Sequence, residues 1–245
     1  MIELFVIATV YVGSIDGRVE YGIPKQSDVI AAREGYVVGF NDSTHCPDWT
    51  MYRLLATNLV NKKIGRTEDF RHDAQVPRSA ELGDYKGSGW SRGHMVPAGD
   101  MKWSEKAMSE SFLLSNIVPQ DTRNNSGAWN RIEQQVRNWA MRENGLVVIT
   151  GPIFDEDSAP RYIGGTKVRV PDFIYKIVFD DSPPRKMIAF IVVNKDSKKK
   201  PWELVVSVDE VEEATGMDFF NELPESDQST LEGSVDLAAW GIGPK

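Results

Sequence analysis

Among the three histidines, His94 stands where a general base is most useful. It follows Arg92 and a glycine, which allows close approach of another part of the chain, and it precedes the irregular turn Val96–Asp100. A titratable ring on a turn between two buried elements is well placed to meet a substrate. We interpret His45 and His72 as ordinary surface or hydrogen-bonded core residues.

A second group of polar side chains belongs to one helical pattern and consists of Asn125, Glu133 and Arg137. At about 100° per residue, Glu133 lies about 80° and Arg137 about 120° around from Asn125, so one flank carries all three. Eight residues also mean a rise of about 12 Å, so Asn125 and Glu133 can bind one ion directly only if the first turn is distorted. Otherwise Glu133 would act through metal-bound water, which suits magnesium.

The same three residues have a plainer interpretation. Asn125 can be a polar residue at the start of a helix, and Glu133 and Arg137 can form an ordinary surface ion pair four residues apart. Helices contain many such pairs, so the spacing alone favours this plainer interpretation and does not establish a site.

The helix that would carry Asn125 is the clearest element in the sequence. From Ser126 to Glu143, apolar residues recur every three or four positions, which is typical of a helix packed on a core. The apolar stripe consists of Trp129, Ile132, Val136, Trp139 and Ala140. Two shorter helices are predicted by their caps, Ser104 in one case and a Ser207/Glu210 capping box in the other.

Strands account for most of the remaining apolar sequence. We expect them where β-branched and aromatic residues run between turn residues, at Gly35–Phe40, Trp49–Thr57, Leu146–Thr150, Phe173–Phe179, Met187–Val193 and Leu204–Val206. Trp90–Pro97 is predicted to be a short strand or turn, and Leu113–Val118 a strand or extended segment. Residues 61–89 form a long irregular segment, which is usually functional in a compact domain. This order of elements indicates an α+β fold around a central, mainly antiparallel sheet.

Composition limits the classes of protein that fit. The 245 residues suffice for one large domain or two small ones. A net charge of −8 argues against coating nucleic acid through overall charge, although a local basic cleft can still bind one or two phosphates. No apolar run is long enough to cross a membrane. The single cysteine, Cys46, excludes an internal disulfide and a multi-cysteine zinc site.

The apolar N-terminal run Ile2–Val12 has two interpretations. It is apolar enough for the core of an export signal, but it contains Glu3, no Lys or Arg precedes it, and no clear cleavage site follows. A first β-strand explains the run at least as well. Both interpretations remain open at this point.

Several short motifs follow one another in a recognisable order. They are Tyr21–Pro24, Arg66–Asp73, Ser91–Gly99, Phe112–Gln120, Asn124–Glu133, Val147–Phe154 and Thr215–Pro224. Together they resemble the DNA/RNA non-specific nuclease family of the ββα-metal superfamily, which includes mitochondrial endonuclease G. The motifs Ser-Arg-Gly-His, NIVPQD and NNSGAWNRIE are most similar to the mitochondrial exonuclease-like branch. The resemblance implies a ββα-metal nuclease fold, with helices flanking the sheet.

The resemblance implies roles for the residues that carry it. His94 matches the general base that takes a proton from the attacking water, and Asn125 matches the single direct protein ligand of a magnesium ion. Glu133 matches the carboxylate that orients metal-bound waters. The full set of candidate catalytic residues is His94, Glu133, Arg66, Arg92, Asn116 and Arg137, of which Arg66 and Arg137 match phosphate-binding arginines and Asn116 a supporting residue.

The resemblance also implies a function. It predicts a nuclease that hydrolyses DNA, RNA or both without sequence specificity, leaves 5′-phosphate and 3′-hydroxyl ends, and uses Mg²⁺, which Mn²⁺ or another divalent ion can replace. Expected partners are nucleic acid and a second subunit in a homodimer, with no stable membrane association. We expect a periplasmic, secreted or mitochondrial location rather than a cytoplasmic one. The nuclease domain would span residues 21–224, between an N-terminal strand or residual export segment at 1–20 and a tail at 225–245.

One motif residue departs from the family pattern. Ser91 stands where most members carry Asp, so it keeps a hydrogen bond but lacks a negative charge, and the rate or metal affinity can differ. The exonuclease-like branch has the same serine, so we do not interpret it as a sign of inactivity. It leaves open whether cutting is endonucleolytic or exonucleolytic.

Two other functions compete with this one. A nuclease or phosphodiesterase of the related His-Asn-His group usually has a further metal-binding histidine near the end of the site helix, and none follows Asn125 here. A catalytically inactive binding module would be expected to lack His94, Asn125 or Glu133, and all three are present.

Overall fold

A computed structural model of the chain describes residues 9–14, 19–61 and 63–244. Most of the predicted N-terminal element Ile2–Val12 lies outside these residues. Its last three residues form strand β1, Val10–Val12, which pairs in parallel with strand β2, Val29–Ala32. The described end of the apolar run is therefore a β-strand.

The centre of the fold is an eight-stranded sheet in the order β1-β2-β3-β4-β7-β10-β11-β12. Its further strands are β3 Val37–Asn41, β4 Cys46–Leu55, β7 Gly145–Ile153, β10 Phe173–Asp180, β11 Lys186–Val193 and β12 Val205–Val206. Two small pairs lie outside it, β5 Ser91–His94 with β6 Ile117–Gln120 and β8 Tyr162–Ile163 with β9 Val168–Arg169. All neighbours in the large sheet except β1 and β2 are antiparallel, which confirms the predicted α+β fold.

The helices are short, with one exception. They are α1 Ala56–Val60, α2 Leu82–Tyr85, α3 Glu105–Ser111, α4 Thr122–Asn124, α5 Asn130–Glu143, α6 Val208–Thr215, α7 Glu225–Leu231 and α8 Leu237–Trp240. The predicted caps are confirmed: Ser104 accepts a hydrogen bond from the Ala107 N–H, and Ser207 and Glu210 form a reciprocal capping box. Among the described residues, none of the helices has both the length and the apolar character needed to cross a membrane.

The central strands bury side chains on both faces, so the sheet separates two apolar clusters. One face packs against α5 through the predicted stripe Trp129, Ile132, Val136, Trp139 and Ala140, all buried. The other face packs against α6 through Val208 and Val211. Replacing a fully buried tryptophan by alanine typically costs about 3–5 kcal/mol, so this stripe holds the helix firmly on the sheet.

Some predicted boundaries were wrong. The strand expected at Trp49–Thr57 begins earlier, at Cys46, and ends at Leu55 because α1 begins at the next residue. The segment Leu113–Val118 is not a single strand, since a 3-10 turn at Leu114–Asn116 precedes β6. That turn is fixed by side-chain hydrogen bonds of Asn116, which a periodicity analysis does not see.

The C-terminal residues pack against the core. Trp240, at the end of α8, is fully buried, and its ring centroid lies 4.7 Å from that of Trp139 on α5. The Trp139 indole N–H donates a hydrogen bond of 2.8 Å to the carbonyl of Trp240. This contact fastens α8 to the helix that carries the candidate site residues.

Candidate active site

A cleft of about 510 Å³ lies where the β5–β6 pair meets the segment α4–α5. It is the place where most of the predicted site residues meet. Six of them line it, namely Arg66, Arg92, His94, Asn125, Glu133 and Arg137. Lys102, from the loop before α3, adds a further positive charge. The cleft therefore carries four basic side chains against one carboxylate, in a chain with a net charge of −8.

Strand β5 brings His94 to the wall of the cleft because Gly93 lets β6 come close. A Cβ at position 93 would overlap the side chain of Gln120, which is fully buried. The two strands pair in antiparallel register, with Gly93 opposite Val118 and His94 opposite Ile117. The close approach that the sequence indicated for this glycine is present, and it fixes the backbone next to the histidine.

Two aromatic rings hold the imidazole of His94. The centroid of the Phe112 ring lies 5.0 Å away, edge-on, and that of the Phe70 ring lies 5.3 Å away. The imidazole is 8% exposed, and its Nε2 atom has no hydrogen-bond partner among the described residues. A buried polar atom without a partner is rare outside functional sites, so this ring is poised for a group that the chain itself does not supply.

Each of these aromatic rings also supports an arginine. The guanidinium of Arg92 lies 4.1 Å from the centroid of Phe70, and that of Arg66 lies 4.9 Å from the centroid of Phe112. Both are cation–π contacts, which orient a guanidinium. The Nε–H of Arg66 also donates to Glu68 Oε1 at 3.2 Å, which leaves its terminal NH₂ groups for a ligand. The two arginines are therefore held on either side of His94.

This environment keeps His94 neutral. Burial, together with the positive charges of Arg66 and Arg92, lowers the pKa of His94 from 6.5 to about 3. Desolvation disfavours the charged imidazolium, and two nearby guanidinium groups repel it. At neutral pH the ring is therefore unprotonated, which a general base requires, but a pKa this low also makes it a weak proton acceptor while the two guanidinium charges are uncompensated.

Asn116 lies behind the cleft and does not line it. Its side chain is fully buried; its Oδ1 accepts from the Val96 N–H, and its Nδ2 donates to the carbonyls of Val96 and Ser111. All of its amide hydrogens and its acceptor are thus used to hold the chain that follows His94. The structure gives Asn116 a supporting position rather than contact with a substrate.

The helix that carries Asn125 does not begin as a regular α-helix. Residues Asn125–Trp129 form a π-helical turn between α4 and α5. The first turn is therefore distorted, and the rise of about 12 Å that was calculated for a straight helix does not apply here. Asn125 and Glu133 both line the cleft, so the two predicted metal-site residues border one cavity.

Glu133 lines the cleft between two positively charged side chains. Its carboxylate lies 3.9 Å from Arg137, and the buried Lys176 of β10 is the strongest positive charge acting on it. The Lys176 ammonium donates to the Thr150 hydroxyl at 2.7 Å and lies 4.9 Å from the ring centroid of Trp129. Burial raises the pKa of Glu133, and Lys176 and Arg137 oppose that rise.

Arg137 is fixed by the buried carboxylate of Asp100, which the sequence showed only as part of a turn. Its guanidinium donates to Asp100 Oδ1 at 2.8 Å, and the other oxygen of Asp100 accepts from the Tyr52 hydroxyl at 2.7 Å. Asp100 is 3% exposed. A guanidinium held in this way has little rotamer freedom left to lose when it binds an anion.

The donors in the cleft fit a magnesium ion. Asn125 offers an amide oxygen and Glu133 a carboxylate, and Mg²⁺ prefers oxygen ligands and typically binds few protein side chains. No sulfur ligand borders the cleft, and its one histidine is buried between aromatic rings. This donor set differs from the nitrogen and sulfur ligands that are typical of zinc sites.

The decisive comparison is with protein families. The family model described as DNA/RNA non-specific endonuclease matches residues 16–226. The chain belongs to the DNA/RNA non-specific endonuclease family. The match spans every residue that lines the cleft, so the predicted family is confirmed and the cleft lies within the matched region.

Individual members of the family are similar over most of this chain. Mitochondrial nuclease EXOG of Xenopus laevis is 34% identical over 221 residues, which cover 83% of this chain and 62% of that protein. Nuclease C1 of Cunninghamella echinulata var. echinulata is 33% identical over 228 residues, covering 86% of this chain and 89% of that protein. The chain spans 61–66% of the length of the EXOG proteins it matches. The EXOG relatives agree with the predicted exonuclease-like branch.

The fold agrees with a solved member of the DNA/RNA non-specific endonuclease family. A chain in the crystal structure of the EndoG/EndoGI complex superimposes with a TM-score of 0.81 at 27% identity, over 89% of this chain and 96% of that one. The predicted nuclease fold, a mainly antiparallel sheet flanked by helices, is therefore confirmed.

The sequence did not point to several residues that shape the cleft of this chain. Phe70 and Phe112 clamp His94, Asp100 fixes Arg137, Lys176 lies next to Glu133, and Lys102 lines the cavity. An isolated Lys in a strand of apolar residues, as at position 176, is the one signal that sequence alone offers, because lysine is rarely buried without a specific partner.

Proposed function

We propose that this chain is a magnesium-dependent nuclease that hydrolyses the phosphodiester bonds of DNA, RNA or both with little sequence preference. The observation that carries the proposal is the cleft itself. It combines a neutral buried imidazole, oxygen donors suited to Mg²⁺ and arginines held for an anion, all within reach of one ligand. Family membership supports the same reaction.

The arginines bind the phosphate. Arg66 and Arg92 lie over the rings that hold His94, and Arg137 is fixed by Asp100. All three guanidinium groups line the same cleft as His94. Guanidinium groups match the oxygens of a phosphate with paired hydrogen bonds. Contacts of this kind carry no base information, so weak sequence preference follows from the site.

His94 accepts a proton from the attacking water. The water oxygen forms a bond to phosphorus while the bond from phosphorus to the 3′-oxygen breaks. The leaving 3′-oxygen takes a proton from solvent water, and His94 later releases the proton it accepted, so the products are a 5′-phosphate and a 3′-hydroxyl. The bound phosphate brings negative charge next to Arg66 and Arg92, which offsets their repulsion of the imidazolium. Binding of the substrate thereby makes the imidazole a stronger base at the moment when it is needed.

Asn125 and Glu133 would hold the magnesium ion. When bound, Mg²⁺ supplies positive charge that stabilises the phosphate and the leaving 3′-oxygen. Asn125 contributes its amide oxygen, while Lys176 and Arg137 hold the Glu133 side chain in place beside it. Mn²⁺ prefers the same oxygen ligands, so it can replace magnesium.

Cleavage of a supercoiled plasmid tests the proposal. We expect cutting with Mg²⁺, no cutting with EDTA, and a loss of about 10²–10⁴ in rate for His94→Ala, the usual contribution of a general base. His72→Ala is the matched control, because His72 pairs with Glu81 away from the cleft and should keep wild-type activity. Wild-type cutting by His94→Ala would remove this residue from the mechanism, and no cutting by any form would favour a binding module.

Location and assembly follow from the relatives only as proposals. The name of the Xenopus laevis relative places that protein in mitochondria, so we infer a mitochondrial-type setting among the locations expected from the sequence. The homodimer stays a prediction, which sedimentation of the purified chain can check.

A further inference from the structure

Three carboxylates meet outside the cleft, between α6 and the end of α7. Asp209 and Glu212 lie on α6, and Glu232 follows the last residue of α7. One carboxylate oxygen from each lies within 4.8 Å of the other two. The backbone joins the same elements, since the Glu232 carbonyl accepts from the Val208 N–H at 3.0 Å.

Glu232 is the unusual member of this cluster. It is 4% exposed, and its Oε1 atom is buried without a hydrogen-bond partner. Carboxylates are almost never this deeply buried unless a cation or several donors compensate them. Glu232 therefore brings to the cluster a buried carboxyl group with an unsatisfied oxygen.

The chain itself supplies no compensating charge. Among residues 9–14, 19–61 and 63–244, no Lys, Arg or His forms an ion pair with any of the three carboxylates. The charges that act on Glu232 come from Glu212, Asp209 and Asp218, and all are negative; together with burial they raise the pKa of Glu232 to about 8. Of the three carboxylates, Glu212 alone accepts a hydrogen bond from the part of the chain that the structure describes, from the Phe219 N–H at 2.7 Å.

The chemistry of these groups suits calcium. Ca²⁺ binds six to eight oxygens at about 2.3–2.6 Å, and carboxylate oxygens that all lie within 4.8 Å of one another are close enough to share one such ion after small side-chain rotations. Calcium also tolerates irregular coordination and completes its shell with water, which the exposed Asp209 allows.

We propose that Asp209, Glu212 and Glu232 form a calcium site that fastens the C-terminal segment to α6. The site is separate from the cleft, none of whose lining residues belongs to it. A cation here neutralises the mutual repulsion of the carboxylates and gives the buried oxygen of Glu232 a partner. Because the ion binds the folded chain, it stabilises that chain by mass action.

Calcium titration calorimetry tests the site. The proteins are the chelator-treated Asn125→Ala variant, which lacks the proposed cleft ligand, and the same variant carrying either Glu232→Gln or Glu213→Gln. Glu213 is a matched control because it is an exposed carboxylate on the same helix outside the cluster. We expect Glu232→Gln to weaken calcium binding about tenfold or more, because affinity follows the ligand charge count, and Glu213→Gln to leave it unchanged.

Thermal unfolding of the otherwise wild-type chain separates loss of the site from loss of the fold. Without calcium, Glu232→Gln should be about as stable as the wild type, because the raised pKa of Glu232 leaves its carboxyl largely uncharged at neutral pH and glutamine has nearly the same shape. With calcium, the wild type should gain in Tm and Glu232→Gln should not. The proposal is overturned if Glu232→Gln and Glu213→Gln bind calcium with equal affinity, or if no protein binds calcium at millimolar concentration. Nuclease activity is measured separately and should be normal in Glu232→Gln, so failure of this site and of the cleft are distinguishable.

Discussion

The hydroxyl of Ser91 lies 3.3 Å from the amide nitrogen of Asn125 and donates its own hydrogen to the carbonyl of Gln120 at 2.7 Å. Since that hydrogen is committed, the Ser91 oxygen can only accept from Asn125. The amide of Asn125 must then turn its NH₂ group toward Ser91, and its oxygen is left for a metal ion. Ser91 thereby determines which end of the Asn125 amide is available as a ligand.

Replacing Ser91 should loosen this arrangement. In Ser91→Ala the amide of Asn125 loses its acceptor, and we expect magnesium affinity to fall about 10–100-fold, as is usual when a group that orients a metal ligand is removed. Ser91→Asp restores an acceptor for Asn125 but cannot donate to Gln120, so its affinity should fall less than that of Ser91→Ala. The measurement is the magnesium dependence of plasmid cleavage, supported by calorimetry.

Ser88→Ala is the control for this comparison. The Ser88 hydroxyl donates to the backbone carbonyl of Tyr85 and lies outside the cleft, so its loss should leave the magnesium dependence unchanged. If Ser91→Ala and Ser88→Ala need the same magnesium concentration, Ser91 does not orient Asn125.

The depressed pKa of His94 makes folding sensitive to pH. Its folded pKa of about 3 lies below the ordinary value of 6.5, so between these values the unfolded chain binds a proton that the folded chain does not. Stability is therefore lost as the pH falls below 6.5, and by pH 5.5 this one group costs about 1.4 kcal/mol.

His94→Gln, which cannot be protonated, should lack this contribution. Urea unfolding at pH 7.5 and pH 5.5 measures it: the wild type should lose about 1.4 kcal/mol more than the variant over this interval. Groups other than His94 titrate in both proteins and cancel in the difference. Equal losses in the two proteins would show that His94 does not resist protonation when folded.

Sequence alone predicted those parts of the fold that depend on neighbouring residues. The apolar stripe from Trp129 to Ala140 and the caps at Ser104 and Ser207 follow from local spacing, and the structure contains them. Periodicity could not establish the π-helical turn at Asn125–Trp129, because the apolar stripe begins only at Trp129, the last residue of that turn. That turn is where the candidate metal site lies.

The contacts that set the charge and orientation of the site residues could not be predicted either, for a different reason. Phe70 lies 24 residues before His94 in the chain, and Lys176 lies 43 residues after Glu133, so only the tertiary fold brings each pair together. The resemblance to a family identified the residues that we propose act on the substrate. It did not identify those that set their charge and orientation.

Arg137 should matter for stability as well as for phosphate binding. Arg137→Met leaves Asp100 buried without its cation, and removing one partner of such a pair typically costs about 3–5 kcal/mol. Adding Asp100→Asn removes the unpaired buried charge, so the double variant should be more stable than Arg137→Met alone. Urea unfolding of the single and double variants measures this coupling.

Nuclease activity separates the two roles of Arg137. Arg137→Lys keeps the charge beside Asp100, so it should unfold at nearly the wild-type urea concentration, yet it cannot offer paired hydrogen bonds and should cleave more slowly. Additive losses of stability in Arg137→Met and Asp100→Asn would mean that the two side chains do not depend on each other.

Because β6 lies so close to Gly93, a larger residue at this position should disturb the site without contacting the substrate. In Gly93→Ala the new methyl group displaces Gln120, whose amide donates to Asn124 at 2.8 Å, immediately before the π-helical turn. We expect a loss of about 1–3 kcal/mol by urea unfolding, as for other overpacked core positions, together with weaker magnesium binding. Gly83→Ala is the control, because a methyl group there meets nothing within 4 Å and should cost little. Wild-type stability in Gly93→Ala would show that the β5–β6 pair can open without disturbing Asn124.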